Sequence, residues 1–364
     1  MEFFNTHISK TAFDTVKEVL QSTFLSEGDI VHKFELELTT NLGLINPVAV
    51  NSCTSALHLA LILAGVGEGD EVILPAQTFI ATGMVILMQK AKPVFADIQY
   101  NTGNVDPNSI RAKITSKTKA IIVVHWGGYP CDLDEINEIA GQFNLKVIED
   151  AAHAIGAVYK NKPVGSISDF TCFSFQAIKH LTTGDGGAIC CKNDDDYLRA
   201  KRLRWFGIDR VNSKPSILGE REYDVAEVGY KYHLNNFAAA LGIANLSDFN
   251  LILQRRIEIA EIYNSELENI DGIKLLNHKK DRKSAWWLYT LLVDNRLGFI
   301  KKLKEKDIPA SVVHLRIDKN SVFGGEGINL YEQERFNEKQ VSIPVHSDLT
   351  NEQVLLICKT INNL

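Results

Sequence analysis

Lys179 stands where the sequence places an amine close to the end of a buried strand. It comes four residues after the apolar run 170–175 and shortly before Thr-Thr-Gly-Asp-Gly-Gly at residues 182–187. A lysine that is partly removed from water has a lowered pKa and becomes a usable amine nucleophile. The alternative is a solvated loop lysine, which is the commoner situation for any single lysine. Whether Lys179 has a catalytic role therefore depends on which other functional groups the fold brings next to it.

Two other segments carry groups that would complete such a site. Residues 51–57, Asn-Ser-Cys-Thr-Ser-Ala-Leu, follow the apolar run 47–50 and open a helix, so their free N–H groups and hydroxyls form an anion cup. Asp150 follows the run 146–148 and precedes two alanines and His153. A carboxylate there pairs well with a protonated ring nitrogen. The alternatives are ordinary helix capping by residues 51–57 and turn capping by Asp150.

An anion cup, a ring-nitrogen carboxylate and a nucleophilic lysine are together the groups that pyridoxal phosphate requires. Phe79 follows the run 71–74 and either stacks on the pyridine face or packs in the core. The sequence contains no motif for a nucleotide cofactor. Residues 65–70 lack the last glycine of the dinucleotide-binding fingerprint, and no P-loop occurs. No His-Glu-x-x-His, paired-cysteine or Gly-x-Ser-x-Gly pattern is present either, and we expect no metal site.

The elements that must position these groups follow an alternating pattern. Short apolar runs lie at residues 47–50, 71–74, 92–96, 120–124, 146–148 and 170–175, with helical patterns at 55–64, 78–88 and 133–142. This alternation predicts an α/β fold whose mostly parallel sheet binds ligands at the carboxyl ends of its strands. After about residue 245 a long helix (253–267), strands at 272–276 and 287–293 and a closing helix (350–361) predict a smaller α+β domain.

Composition limits the partners of the chain. The 364 residues include 39 basic and 45 acidic side chains, a net charge of −6, which argues against nucleic-acid binding. No apolar stretch reaches the ~18 residues of a membrane helix, and the first residues lack the pattern of a secretory signal. The six scattered cysteines are typical of reduced core thiols. We therefore expect a cytoplasmic protein without membrane partners.

Four motifs in order make the chain resemble the DegT/DnrJ/EryC1/StrS family of pyridoxal-phosphate-dependent sugar aminotransferases over essentially its whole length. The motifs are residues 51–58, residues 147–153 (Val-Ile-Glu-Asp-Ala-Ala-His), residues 174–179 (Ser-Phe-Gln-Ala-Ile-Lys) with 182–187, and residues 229–235 (Gly-Tyr-Lys-Tyr-His-Leu-Asn). The resemblance implies the aspartate-aminotransferase-like fold type I: a large domain (1–245) with an N-terminal helical arm and a seven-stranded sheet, and a small domain (246–364). It also implies a homodimer with active sites shared between subunits.

The resemblance also implies roles for individual residues. Lys179 would form the Schiff base with pyridoxal 5′-phosphate and move protons while the cofactor passes through its pyridoxamine form. Asp150 would pair with the pyridinium nitrogen, and His153 would lie near the ring hydroxyl. The phosphate would be held by Cys53, Thr54, Ser174 and, from the partner subunit, Lys231, with Phe79 stacked on the ring.

Three positions depart from the family pattern. The family often has Gly where Cys53 stands and usually Glu where Asp185 stands, and both changes are expected to matter little. It commonly has Asn at the position of Lys231, where a lysine would reach a phosphate by charge. One branch has His in place of the Schiff-base lysine and removes a sugar hydroxyl. Here Lys179 is retained and His180 follows it, which favours transamination.

The expected reaction moves an amino group from L-glutamate to a keto-sugar on a nucleoside diphosphate, for amino-sugar or surface-glycan biosynthesis. Basic candidates for the diphosphate are Arg204, Arg210, His314, Arg316 and His346, although Arg204 also fits a helix-face charge and His346 an ordinary loop histidine. The alternatives are a dehydratase, a cyclitol aminotransferase or a lyase with the same cofactor, and a non-catalytic regulator on the same fold.

Overall fold

The structure is a computed structural model that describes residues 1–210, 212–325 and 327–364. Within them the chain forms twelve α-helices and fifteen strands. The strands are β1 (Pro47–Val50), β2 (Glu71–Pro75), β3 (Lys92–Ala96), β4 (Thr118–Val124), β5 (Lys146–Asp150), β6 (Val158–Tyr159), β7 (Lys162–Pro163), β8 (Phe170–Ser174), β9 (Gly187–Cys191), β10 (Lys214–Pro215), β11 (Arg221–Glu222), β12 (Ile273–Leu275), β13 (Arg282–Lys283), β14 (Tyr289–Val293) and β15 (Gln340–Ile343).

Helices alternate with the strands of the first half of the chain and dominate the second half. They are α1 (Ala12–Ser22), α2 (Asp29–Leu42), α3 (Cys53–Leu63), α4 (Ala81–Met88), α5 (Pro107–Lys113), α6 (Leu133–Phe143), α7 (Asp194–Leu203), α8 (Asn236–Leu246), α9 (Phe249–Glu266), α10 (Arg296–Lys304), α11 (Tyr331–Lys339) and α12 (Asn351–Asn362). The predicted helix at 78–88 begins at Ala81, so residues 78–80 stay irregular and Phe79 is left largely exposed.

The central sheet has seven strands in the order β1-β9-β8-β5-β4-β2-β3. All neighbours are parallel except β9, which runs antiparallel to both β1 and β8. The predicted α/β fold with a mostly parallel sheet is therefore confirmed, and all six predicted apolar runs lie on its strands. The sequence does not predict β9, because a five-residue buried strand directly after a glycine-rich stretch shows no alternation of polar and apolar residues.

Helices cover both faces of this sheet, and alternate residues of the strands point to opposite faces. In β4, Ala120 and Ile122 pack towards α3, α4 and α7, whereas Ile121 and Val123 pack towards α5 and α6. This period of two is the geometry of a strand buried on both sides. The N-terminal helices α1 and α2 pack against α8.

The last third of the chain forms a second sheet, β12-β14-β15, all antiparallel. Its core includes residues of α9, α10 and α12, among them Ile259, Leu303 and Ile357. The predicted boundary between residues 245 and 246 falls at the end of α8, just before the long helix α9, and the division into two domains there stays a prediction.

Among the described residues, no single helix has the length and apolar composition needed to cross a membrane. In the described part of the chain, one pair of helices, α8 and α9, meets those two criteria together, and the two are bent by 57° relative to each other.

Candidate active site

A cavity of about 360 Å³ opens at the carboxyl ends of β1, β2, β5 and β8. Its volume lies within the roughly 300–1,000 Å³ typical of small-molecule sites. Eight of the residues that the sequence analysis selected line it: Cys53, Thr54, Phe79, Asp150, His153, Ser174, Lys179 and His314. The rule that ligands bind beyond the carboxyl ends of parallel strands thus brings distant segments of the chain into one site.

Lys179 reaches this cavity from a turn that follows β8. Its backbone N–H donates to the carbonyl of Gln176 at 2.9 Å, and its Nζ lies 3.4 Å from the centre of a Trp287 ring. Loss of hydration in the cavity lowers the pKa of the amine to about 7, against the opposing attraction of Asp150. His180 points elsewhere, with its Nε2 2.7 Å from the carbonyl oxygen of Ala285. Near neutral pH much of Lys179 is therefore an unprotonated amine.

Asp150 ends β5 and is held on both of its carboxylate oxygens. The Thr82 hydroxyl donates to Oδ2 at 2.7 Å, and the Ala152 backbone N–H donates to Oδ1 at 3.2 Å. Burial raises the pKa of this carboxyl, while those two hydrogen bonds and Lys179 act in the opposite direction. A buried carboxylate without a full countercharge is suited to a cationic partner that enters the cavity.

The predicted anion cup is the first turn of α3. Ser52 caps the helix, since its Oγ accepts the Ser55 backbone N–H at 3.1 Å. Cys53 and Thr54 are the first two residues of the helix, so their N–H groups have no acceptor within it. Behind them lies Gly187 of β9, where a Cβ atom would come within 2.6 Å of the Cys53 nitrogen. The sheet thus approaches the cup by backbone alone.

Cys53 places a half-buried thiol beside the carboxylate. Its Sγ lies 4.0 Å from Oδ1 of Asp150. Burial and that neighbouring charge raise the pKa of the thiol well above its ordinary value. The residue therefore stays a neutral thiol and contributes its backbone N–H, rather than its side chain, to the cup.

Aromatic rings line the remaining wall. The His153 ring stacks on Trp287 with centroids 3.8 Å apart, and burial holds its pKa well below the ordinary value. His314 adopts a left-handed backbone conformation (φ +59°), and its carbonyl accepts the side-chain amides of both Gln77 and Gln340 at 2.9 Å. Those two amides hold the histidine 5.3 Å from Phe79 at the cavity, measured between ring centroids.

Two residues of the site, Thr82 and Trp287, are not predicted from the sequence. Thr82 lies inside an apolar helix, and only its spacing of three from Phe79 ties it to the same site. Trp287 comes from a segment predicted to be the start of a strand, but β14 begins at Tyr289. The indole is free to reach the cavity because residues 286 and 287 precede the strand, and Trp286 has a positive φ of 53°.

Three predicted residues lie away from this cavity, around Trp205. Arg204 is buried and ion-paired to Glu27 and Glu35. Arg210 is exposed, binds Glu27 at 2.9 Å and lies 4.9 Å from the Trp205 ring. Lys231 is exposed, with its Nζ 6.0 Å from the same ring. We call Arg204, Trp205, Arg210 and Lys231 the Trp205 patch, and the predicted ligand contacts of its cations stay predictions.

Two further predicted substrate residues are also engaged elsewhere. Arg316 is 3 % exposed and forms ion pairs with Asp318 and Glu334. His346 is buried, and its Nε2 lies 3.2 Å from the carbonyl oxygen of Glu2. Neither side chain lines the cavity of the single chain, so their substrate roles likewise stay predictions.

A seven-stranded, mostly parallel sheet with a carboxylate at the end of β5 and a lysine after β8 defines a fold type I pyridoxal-phosphate enzyme. The sequence model of the DegT/DnrJ/EryC1/StrS aminotransferase family matches residues 6–362, and the chain belongs to that family. It is a pyridoxal-phosphate-dependent sugar aminotransferase, as the resemblance implied.

Curated relatives and solved structures agree over almost the whole chain. SpsC of Bacillus subtilis, a spore coat polysaccharide biosynthesis protein, is 37 % identical over 95 % of this chain and 92 % of its own. The GDP-perosamine synthase of Escherichia coli O157:H7 is 33 % identical (95 % and 93 %). The UDP-4-amino-4-deoxy-L-arabinose–oxoglutarate aminotransferase of Shewanella sediminis is 31 % identical (98 % and 96 %).

Among solved structures, the sugar aminotransferase CalS13 of Micromonospora echinospora superposes with a TM-score of 0.95 at 34 % identity, covering 100 % of this chain and 99 % of its own. The pyridoxal-phosphate form of Spr1654 of Streptococcus pneumoniae superposes with a TM-score of 0.91 at 30 % identity (100 % and 98 %).

The residues of the cavity fit this cofactor. The free N–H groups of Cys53 and Thr54 suit a phosphate, and the carboxylate of Asp150 suits a protonated ring nitrogen. Nδ1 of His153 is buried without a hydrogen-bond partner, which leaves one polar atom of the wall to serve a ligand. The amine of Lys179, whose pKa is lowered to about 7, suits the aldehyde of the cofactor.

Proposed function

We propose that the chain transfers an amino group from L-glutamate to a keto-sugar carried on a nucleoside diphosphate. The observation that carries the proposal is the convergence of a lysine amine of lowered pKa, a buried carboxylate and an open helix N-terminus on one cavity. The names of the relatives support the substrate class, since two of them are named for GDP- and UDP-linked sugars and one for oxoglutarate, the keto acid that glutamate leaves behind.

Pyridoxal phosphate supplies an aldehyde that takes up the amino group and a ring that delocalises the electrons of the broken C–H bond. The chain contributes the groups around it. The first turn of α3 binds the phosphate, and Asp150, fixed by Thr82 and Ala152, keeps the ring nitrogen protonated. Nζ of Lys179 accepts the substrate proton and returns it, a task for which an amine of pKa about 7 is matched to neutral pH.

The position of Lys179 favours transamination over hydroxyl removal. The dehydratase branch is distinguished by a histidine in place of this lysine. Here the amine of Lys179 lines the cavity, whereas the imidazole of His180 is buried against the carbonyl of Ala285. If the match to the family motif were shifted by one residue, His180 would take the position of the Schiff-base lysine. The contact of His180 with the Ala285 carbonyl argues against that alternative.

We further propose a homodimer in which Lys231 reaches the phosphate in the partner's site. Lys231 is exposed and lies outside its own cavity, beside Trp205, which leaves its charge available to a second copy. Mixing Lys179→Ala and Lys231→Ala chains tests this directly. If sites are shared, the mixed dimers regain activity that neither parent has, because one site then holds both wild-type residues. Sedimentation of the parents controls for a loss of assembly.

The cellular setting that we propose is the cytoplasm, with the amino sugar passed into a surface glycan such as the O-antigen of lipopolysaccharide. The relative SpsC, named for spore coat polysaccharide biosynthesis, supports a surface polysaccharide as the destination.

The reaction is tested by following cofactor absorbance in the purified, loaded protein. L-Glutamate should convert the pyridoxal absorbance to that of the pyridoxamine form, and one of a panel of nucleotide keto-sugars should restore it. D-Glutamate and a nucleotide sugar without a keto group serve as controls. Product release from an amino acid with no keto acceptor would indicate a lyase and would contradict the proposal.

A further inference from the structure

The beginning of the chain packs against the wall of the active site. Residues 2–5, which we call the N-terminal strap, place the ring of Phe4 on Trp287, with centroids 5.1 Å apart and ring planes 20° from parallel. Phe3 packs edge-on against Phe4 at 4.6 Å between ring centroids. Both phenylalanines are half-buried. The strap thus covers an aromatic ring that also contacts the amine of Lys179.

Polar contacts hold the strap in this position. The carbonyl of Glu2 lies 3.2 Å from Nε2 of His346, and the side-chain amide of Asn5 donates to the carboxylate of Asp348. Just beyond the strap, Nε2 of His7 lies 2.9 Å from Oδ2 of Asp248. The segment is therefore anchored on both sides of Phe4, to residues far away in sequence.

Trp287 links the strap to Lys179 by two separate contacts. Its indole Nε1 donates to the carbonyl of Ile178 at 3.1 Å, which fixes the peptide directly before Lys179. Its ring lies under Nζ. The Trp287 backbone is fixed as well, since its N–H donates to Gly127 at 2.8 Å and Arg256 donates to the carbonyl of Trp286 at 3.2 Å. The indole is 1 % exposed.

We propose that the N-terminal strap is a positioning element of the active site: through Phe4 it holds the Trp287 indole against Lys179 and keeps water from that side of its amine. The proposal rests on the proposed role of Lys179 and extends that role to a segment that packs on Trp287. Phe4 itself touches the indole and acts on Lys179 only through it.

Two opposing effects of its surroundings act on the pKa of Lys179, namely attraction to the indole ring and loss of hydration. An indole face attracts an ammonium group, which favours the protonated amine. The pKa of Lys179 is nevertheless lowered to about 7, so lost hydration outweighs this attraction. Removing the Phe4 ring takes away the contact that holds the indole against Lys179, so the indole can move into the gap and water can reach the amine. The charged and titratable groups that face the amine are Asp150, Cys53, Arg256, His153, His180 and His314.

The test measures the titration of Lys179 in the cofactor-free protein by competitive labelling. Trace acetic anhydride is applied from pH 5 to 10, and mass spectrometry quantifies acetylation of the peptide that contains Lys179. For Phe4→Ala we expect the midpoint to rise by about one pH unit, which lowers the labelling at pH 7 severalfold and up to about tenfold. Phe4→Tyr keeps the ring and should keep the wild-type midpoint.

A matched control removes an aromatic ring from the same end of the chain. Phe13 of α1 is 77 % exposed, and Phe13→Ala should leave the midpoint unchanged. A wild-type midpoint in folded Phe4→Ala would overturn the proposal, as would an equal shift in Phe13→Ala. If Phe4→Ala fails to fold, Phe4→Leu provides the same comparison with most of the volume retained. Borohydride trapping of the cofactor on Lys179 is measured separately, so its failure removes the role of the lysine without altering the titration.

Discussion

The cavity and the Trp205 patch both contain basic side chains that the sequence predicts to bind ligands, but these side chains have different surroundings in the structure. In the cavity the Lys179 amine lies against an indole ring at the end of a strand. In the patch, Arg204 binds two carboxylates and Arg210 binds one of the same pair. A residue's position at the end of a strand therefore predicts the site correctly. The basic character of a side chain alone does not, because basic side chains such as Arg204 are also used in ion pairs.

The largest expected effect lies in the cavity. Lys179→Ala should lower transamination by at least about 10³-fold, because in the proposed mechanism Lys179 provides both the amine that bonds the cofactor and the group that moves the proton. The thermal midpoint of the cofactor-free protein should change little. Lys90→Ala is the control, since Lys90 lies on the surface with its side chain 74 % exposed. Turnover within tenfold of wild type would contradict the role of Lys179.

The patch should show the opposite behaviour, with a loss of stability. Arg204→Met leaves the buried Glu35 without its guanidinium partner and leaves Glu27 with Arg210 alone, and breaking a buried pair in this way costs about 3–5 kcal/mol. Urea unfolding of the cofactor-free protein measures this loss. An unfolding free energy within 1 kcal/mol of wild type, together with a raised KM for the nucleotide sugar, would instead make Arg204 a substrate contact.

Asp150→Asn sharpens the comparison by changing charge without changing shape. The amide still occupies the pocket beside Thr82 but cannot hold a cation, so turnover should fall by about 10²–10³-fold. Because burial already opposes the charge of Asp150, the cofactor-free protein should not lose stability. Absorbance and urea unfolding of the same preparation separate the two effects. A loss of stability as large as that of Arg204→Met would show that Asp150 stabilises the fold rather than holding the cofactor.

The pH dependence of stability gives a smaller effect with a defined sign. Lys179 has a pKa of about 7 in the folded protein and about 10.4 unfolded, so between these values the unfolded chain holds more protons and stability rises with pH. Compared with Lys179→Met, the wild-type protein should gain about 1–3 kcal/mol between pH 7 and pH 10, allowing for the partial exposure of the residue. Parallel curves for the two proteins would show that the amine is not desolvated.

The smallest effect is expected at the exposed edge of the patch. Arg210→Gln removes one ion pair whose arginine side chain is 41 % exposed, and the unfolding free energy should fall by less than about 1 kcal/mol. A KM for the nucleotide sugar that rises by tenfold or more at unchanged stability would make Arg210 a diphosphate ligand.

The sequence predicts the strand ends well because hydrophobic runs and the residues that follow them are local features. Lys179 and Asp150 are found in this way. Contacts between distant segments leave no such signal, which is why Thr82 and Trp287 were missed. The pairing of Arg316 with Asp318 and Glu334 was equally invisible, since only the fold shows which carboxylates are near.

The antiparallel strand β9 has a consequence for how such a site changes in evolution. Gly187 presses against the start of α3 so closely that any side chain there would displace the phosphate cup. The rear of the pocket therefore accepts nothing larger than glycine at position 187, and we expect changes in substrate preference at lining residues such as Phe79, which is 55 % exposed.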